Sequence, residues 1–218
     1  MPKRLIPSVE GYAQPDSDGQ LFAPAAARNV DAIGDLLARV APARGAALEL
    51  ASGTGQHVTA FAARLPDLDW QPTEIDATRR AGIDARVSAS GLGNIAPAIP
   101  LDATAPGWGA AHGDKALILL SNLLHLVSDA EAETLIGEAA AALAPGGVFV
   151  LYGPFMRNGA LTSEGDVSFH ASIQRQDAEA GYKDDGWVAD RLAAAGLALR
   201  ETAEMPANNL AFVATRQA

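Results

Sequence analysis

The chain contains no cysteine, and that absence removes disulfides, thiolate metal sites and cysteine nucleophiles together while leaving the compartment open. Its four histidines are scattered and offer no H-x₃-H spacing, so no zinc site is expected. A G-x-S-x-G elbow is missing, which leaves a serine hydrolase unsupported. No apolar run reaches the roughly 18 residues of a membrane span. The opening "MPKRLIPSVEGYAQPDSDGQ" has two basic residues with no apolar stretch behind them and does not read as a secretory signal. Lys and Arg are nowhere dense, and 26 acids against 16 bases give a formal charge of −10. Phosphate-backbone binding depends on basic clusters, so nucleic acid is not an expected partner, nor is a membrane. Net charge describes the whole surface and leaves room for a local basic cleft.

What is present is 218 residues, 49% hydrophobic and 19% charged, enough for one domain with a sizeable core. A cytoplasmic protein acting on a small or neutral molecule is the default reading. Residues 1–24, rich in Pro, Gly and Asp, read as an irregular arm and possible lid, with residues 25–218 as a single domain. Val30, Ile33, Leu36, Leu37 and Val40 recur at helical spacing before Pro42. A short buried strand at 46–50 leads into a helix at 56–65, and a strand at 70–75 into a polar helix at 77–89. "NIAPAIPLDA" offers a third, proline-interrupted strand, and "ALILLSN" a fourth that is fully buried. A helix at 129–143, "APGG" and the strand "VFVLYG" follow. This α/β alternation predicts a parallel sheet with right-handed crossovers and helices on both faces, with ligands beyond the carboxyl ends of the strands. At the C-terminus "LALRETAEM" and "NLAFVATR" are joined by "PANN" alone. So short a connection requires an antiparallel hairpin, which fits class I methyltransferases better than dinucleotide dehydrogenases.

The stretch "LELASGTGQHVTAFA", residues 48–62, reads as strand, glycine turn and helix. Nucleoside triphosphates, dinucleotides and S-adenosylmethionine (SAM) all use that device. A triphosphate loop needs a Lys and a hydroxyl after its last glycine, and neither is here. A dinucleotide turn places a third glycine where this chain has Val58, whose branched side chain disfavours close packing under a pyrophosphate. Glu49 at the end of the first strand would repel a pyrophosphate but suits a ligand carrying an ammonium and a sulfonium. Gly53 and Gly55 let the backbone approach that ligand closely. Glu74 ends the second strand, 19 residues beyond Gly55, where a carboxylate accepts two ribose hydroxyls. Asp102 after the third strand is a candidate for the adenine amino group, with helix capping or simple exposure equally open. Asn122 ends the fourth strand.

"LELASGTGQH", "LPDLDWQPTEID", "SNLLH", "LAPGGVFVLYGPF" and "TSEGDVSFHASI" together resemble a family long catalogued as a domain of unknown function, the group that includes methyltransferase-like protein 26. The resemblance runs from about residue 22 to the C-terminus. It implies a Rossmann-like class I methyltransferase: a seven-stranded, mostly parallel sheet of order 3-2-1-4-5-7-6 with an antiparallel C-terminal hairpin. By position it implies that Glu49, Ser52, Gly53, Gly55, Glu74, Asp102 and Asn122 line SAM. Arg28 and Asn29 match the family's "RN" pair and would close over the methionine end. The family's "TSxSNxxFDxxLR" is altered here, Asp166 standing for the Asn and His170 for the Asp.

Methyl transfer from a sulfonium needs alignment and dryness, and a general base only for a protonated acceptor. His125 at the mouth of the fourth strand is the candidate base, with a loop hydrogen bond or cap as the equal alternative. His57 would orient the turn or the cofactor, and His170 is a surface histidine or part of the acceptor pocket. Roughly 45 residues between the fifth and sixth strands exceed a plain crossover. Tyr152, a second catalytic candidate, is therefore expected with Pro154, Phe155 and an insert at about 153–185 to form the acceptor wall, and Tyr12 and Phe22 a lid. Trp70 and Trp108 read as core or rim. The leading reading is a SAM-dependent methyltransferase of a small molecule. The alternatives are a SAM- or S-adenosylhomocysteine (SAH)-binding protein without activity and, less favoured, an NAD-dependent oxidoreductase. The acceptor and the oligomeric state are not legible.

Overall fold

Leu117 and Leu119 belong to one hydrophobic cluster and Ile118 and Leu120 to another, so the strand that carries them is buried on both faces and reads as a continuous apolar run. That strand, β3 (Lys115–Ser121), is the middle of the sheet. A computed structural model of the protein describes residues 13–15 and 21–217; Tyr12 lies outside them. Besides a two-residue antiparallel pairing of Gln14–Pro15 with Leu21–Phe22, the chain forms α1 (Pro24–Val40), β1 (Gly45–Leu50), α2 (Gln56–Arg64), β2 (Leu68–Pro72), α3 (Ala77–Ser90) and α4 (Trp108–Ala111). After β3 come α5 (Asp129–Ala142), β4 (Leu143–Met156), α6 (Glu164–Gln176), β5 (Lys183–Asp184), α7 (Asp185–Ala194), β6 (Leu197–Glu204) and β7 (Asn209–Arg216).

The sheet runs β2-β1-β3-β4-β7-β6, with β5 paired to the end of β4. The first three pairings are parallel, and β7 is antiparallel to both β4 and β6. The expected α/β class and C-terminal hairpin are therefore present. The third strand of the expected order is not a strand. "NIAPAIPLDA" makes two isolated parallel bridges to the β2 segment, Trp70 with Ile95 and Thr73 with Ile99, because Pro97 and Pro100 have no N–H to give to a ladder.

Ile33, Leu36 and Leu37 of α1, Val58 and Phe61 of α2 and Ile83 of α3 cover one face with Trp70. Leu135, Ile136 and Ala139 of α5, Val188 and Leu192 of α7 and Trp108 cover the other. Both tryptophans named in the sequence are thus core residues. The α5 helix starts in a capping box between Ser128 and Glu131, the reciprocal arrangement that satisfies two orphan amides. A third, small cluster of Leu126, Ile173, Ala180 and Tyr182, with Phe169 against it, lies under the insert rather than under the sheet. It gives the insert a core of its own.

Candidate functional site

Beyond the carboxyl ends of β1, β3 and β4 lies a cavity of about 570 Å³, closed from the side by α1 and by the turn between β6 and β7. Its floor is strained. Ala51 (φ 51°), Asn122 (φ 56°) and Ala207 (φ 57°) are left-handed non-glycine residues, and all three line it. Such conformations cost energy and persist where the surroundings impose them, often at ligand sites. At Gly55 (φ 75°) the reason is local: an added Cβ would lie 3.3 Å from the Cα of Ile83, where α2 and α3 meet.

Glu49 is the electrostatic centre of the cofactor end. It is 2% exposed, its Oε2 has no hydrogen-bond partner, and it lines the cavity. Burial pushes its carboxyl up to about 8; the Ser52 hydroxyl opposes the shift and the Glu74 charge adds to it. Arg28, Asn29, Ser52 and Asn122 line the same space. Gly53, Gly55, Glu74 and Asp102 do not, although the sequence placed them around the cofactor. Glu74 Oε2 accepts from the Gly53 amide at 3.1 Å and Oε1 from the Asp76 amide at 3.1 Å, so its carboxylate clamps the glycine turn. Asp102 Oδ1 accepts from Thr104 N at 3.1 Å and Oγ1 at 2.7 Å, a local turn of the capping kind.

A polar chain runs along one wall. His57 Nε2 is 2.7 Å from Asn29 Oδ1, and the ring stacks on Phe61 with centroids 5.2 Å apart. Burial lowers its pKa to about 4, against a contact with the Ala26 carbonyl that raises it. Asn29 also reaches the Tyr152 phenol. Burial raises the pKa of that phenol, and Asn29, Asn209 and the Arg28 charge pull it back. Residues before α1 are fastened over the turn. Gln56 Oε1 accepts from Ala23 N at 2.6 Å, and Arg86 donates to Thr54 O at 3.0 Å and Leu21 O at 2.8 Å. Phe22 beside them is 36% exposed.

The other end of the cavity is aromatic. His125 lies 5.7 Å from Phe169 and 6.1 Å from Tyr182 between ring centroids, and those two are 6.1 Å from each other. Burial, with the nearby Lys183 charge, lowers the His125 pKa to about 3, and its Nδ1 is buried without a partner. Lys183 is engaged elsewhere, donating to Val127 O and pairing with Asp129, both at 2.8 Å. The Tyr182 hydroxyl donates to Asp166 Oδ1 at 3.1 Å. Asp166 Oδ2 accepts from Thr162, Ser163 and Asn208, and these hydrogen bonds hold its carboxyl below the usual range despite burial. His170 Nδ1 accepts from the Tyr182 amide at 3.0 Å and does not line the cavity.

Of the expected acceptor wall, Tyr152 and Pro154 line the cavity. Phe155 does not: it turns into the core, edge-on to Phe212 at 5.0 Å, because β4 continues to Met156 and alternation sends its side chain to the opposite face. Tyr182, inside the insert expected to form the acceptor wall, and Asn209 are lining residues that the sequence reading did not name. The visible signal was a third aromatic in that insert, after Phe155 and Phe169, and a second Asn in "PANN". Among the described residues no group of His, Asp and Glu is arranged to hold a metal ion.

Residues 20–216 match the model of a family described as "Protein of unknown function (DUF938)". Among solved structures, an O-methyltransferase family protein from Burkholderia thailandensis superposes with a TM-score of 0.76 at 20% identity, over 89% of this chain and 57% of that one. Human N-acetylserotonin methyltransferase in complex with SAM gives 0.73 at 14% identity, over 89% and 53%. Mitomycin 7-O-methyltransferase gives 0.71 at 15%, over 87% and 54%. The chain thus spans little more than half the length of these proteins. At such identities the likeness carries the fold, an α/β sheet shared with SAM-dependent methyltransferases.

Proposed function

The chain belongs to the DUF938 family, and we propose that it is a SAM-dependent methyltransferase of a small molecule. The observation that carries this reading is Glu49: a buried carboxylate with an unpartnered oxygen, at the first strand end, on a cavity floored by left-handed residues. A buried acid lacking a partner is costly, and the ammonium of a bound amino-acid moiety would supply one. The donor set therefore fits SAM. Glu49 would hold the ammonium, and Ser52, Arg28 and Asn29 the methionine carboxylate. Asn122 would shape the floor, and Gly53 and Gly55 the turn behind it. Glu74 would serve the ribose after exchanging its bond to the Gly53 amide, and Asp102 the adenine edge. When bound, SAM supplies a methyl group on a sulfonium that leaves as the neutral thioether SAH once the acceptor's lone pair takes the carbon. The chain's part is to align the two molecules and exclude water. Tyr152 stands where the two halves of the cavity join and would position the acceptor. Among the described residues no carboxylate orients His125 or faces it as a counter-ion, which argues against a general base.

A SAM-binding protein without activity is the weaker reading, because the cavity continues past the cofactor end into an ordered aromatic wall. Buried Val58 and the C-terminal hairpin weigh against NAD. The finer resemblance to the methyltransferase-like protein 26 group rests on the sequence motifs. Calorimetry with SAM, SAH and NAD tests the methyltransferase proposal. SAM and SAH should bind and NAD should not; tight NAD binding without SAM binding overturns it.

A further inference from the structure

Among the described residues the acceptor end of the cavity is lined without charge. His125, Phe169 and Tyr182 pack edge to face into one aromatic wall, with Leu126 and Pro154 beside them, and this wall with the space in front of it is the cage. The ionisable groups nearby are turned away. Lys183 is bound to Val127 O and Asp129, and Asp166 accepts the Tyr182 phenol from behind. Arg28 and Glu49 belong to the cofactor half. A cation would therefore meet no counter-charge in the cage and an anion no donor of positive sign, and bringing either in would cost its hydration. Flat rings find edge and face partners there.

Two unpartnered polar groups line this side of the cavity among the described residues, the Ser121 hydroxyl at the end of β3 and the His125 ring, and it is the ring that stands among the aromatics. His125 lines the cavity while its Nδ1 is sealed and unpartnered, so the ring meets the cavity by the edge that bears Nε2. A buried N–H without an acceptor is rarer and costlier than an unused lone pair. The proton therefore belongs on Nε2, aimed into the cage. We propose that the acceptor is an uncharged, flat aromatic compound bearing an oxygen lone pair that is not the atom methylated, and that His125 Nε2–H donates to that oxygen and anchors the ring. This inference rests on the methyltransferase reading for the word acceptor; the cage chemistry itself does not. It also changes the role of His125 from remover of a proton to holder of an oxygen.

Nitrogen-15 imidazole NMR of the full chain at pH 7 reads the tautomer without any variant: a neutral ring protonated on Nε2 is expected, and protonation on Nδ1 or on both nitrogens overturns the proposal. Titration of SAH-loaded protein with four ring probes reads the cage. Anisole should bind about threefold tighter than toluene through the one added hydrogen bond. Benzylammonium and benzoate should bind about tenfold more weakly than anisole, or less, for want of a partner charge. His125→Phe keeps a ring and removes the N–H, and should erase the difference between anisole and toluene while leaving SAH affinity unchanged. Ions binding as well as anisole, or a preference that survives in His125→Phe, overturns the proposal. Should SAH itself fail to bind, the methyl-donor reading falls, and the same probes titrated into the unloaded chain judge the cage separately.

Discussion

Glu49, Ala51 and Ser52 at the cofactor end lie within four residues of one another and are positioned by the end of one strand, whereas Phe169, Tyr182 and Asn209 at the acceptor end come from α6, the segment before β5 and the start of β7. The first end is polar and strained, and one of its carboxylate oxygens lacks a partner. The second is aromatic, has its own small core and is tied together by a single acid, Asp166. A site half built from contiguous sequence can keep a costly buried acid because the sheet behind it fixes its position. A half assembled from distant segments needs a fastener, and its selectivity comes from shape.

If that division is real, the largest effect belongs to Glu49. Glu49→Gln keeps the shape and removes the charge, and should lower SAH affinity about 10- to 100-fold, the range expected for one charge-assisted hydrogen bond. The ring signals of His125 should hardly move. Unchanged SAH affinity in isothermal titration would dissolve the distinction between the two ends.

The same carboxyl predicts how the unliganded chain responds to pH. Its pKa rises from 4.5 unfolded to about 8 folded, so between those values the folded state binds more protons and stability falls as pH rises. His57 and His125 act oppositely, from 6.5 unfolded to about 4 and about 3 folded. They add stability as pH rises towards 6.5 and are silent above it. From pH 6.5 to 8 Glu49 stands alone among the described groups with displaced titrations, and one proton over that span is worth about 2 kcal/mol. Urea midpoints should therefore fall across that window and stay flat in Glu49→Gln. A midpoint already flat there in the unaltered chain would mean that the folded carboxyl is charged below pH 6.5.

Glu74 probes the boundary of the cofactor end. Since its oxygens hold the Gly53 and Asp76 amides, Glu74→Ala should cost about 1–3 kcal/mol of stability from the orphaned amides as well as several-fold in SAM affinity. A loss of stability with intact affinity would leave it as a clamp on the turn and nothing more.

The same contrast explains what could be read from the sequence. The β1 strand, glycine turn and α2 were legible because each is specified by neighbours: apolar alternation, positive-φ glycines, helical spacing. Burial of Ile118 and Leu120 on one face and of Leu117 and Leu119 on the other was legible for the same reason. The third strand was misread because hydrophobicity suggested pairing that Pro97 and Pro100 cannot complete. Glu74 and Asp102 were placed on the cavity by strand-end position, and that position does not determine whether a carboxylate turns to a ligand or to the nearest amide. Tyr182 was invisible because its place depends on Asp166 and His170, 16 and 12 residues away.

Asp166 then offers the smallest and most discriminating test. Its Oδ2 takes three donors and its Oδ1 one, the Tyr182 phenol. In Asp166→Asn the amide oxygen can keep the three donors while the NH₂ faces the phenol, and a hydroxyl can reverse and accept. The swap should therefore cost under about 1 kcal/mol. Asp166→Ala leaves every donor without its acceptor and should cost about 2 kcal/mol or more. Neither should change SAH affinity, while both should loosen the cage, visible as weaker anisole binding in the Ala variant than in the Asn variant. If Asp166→Ala weakens SAH as much as anisole, the two ends of the cavity are one mechanical unit, and the insert takes part in holding the cofactor.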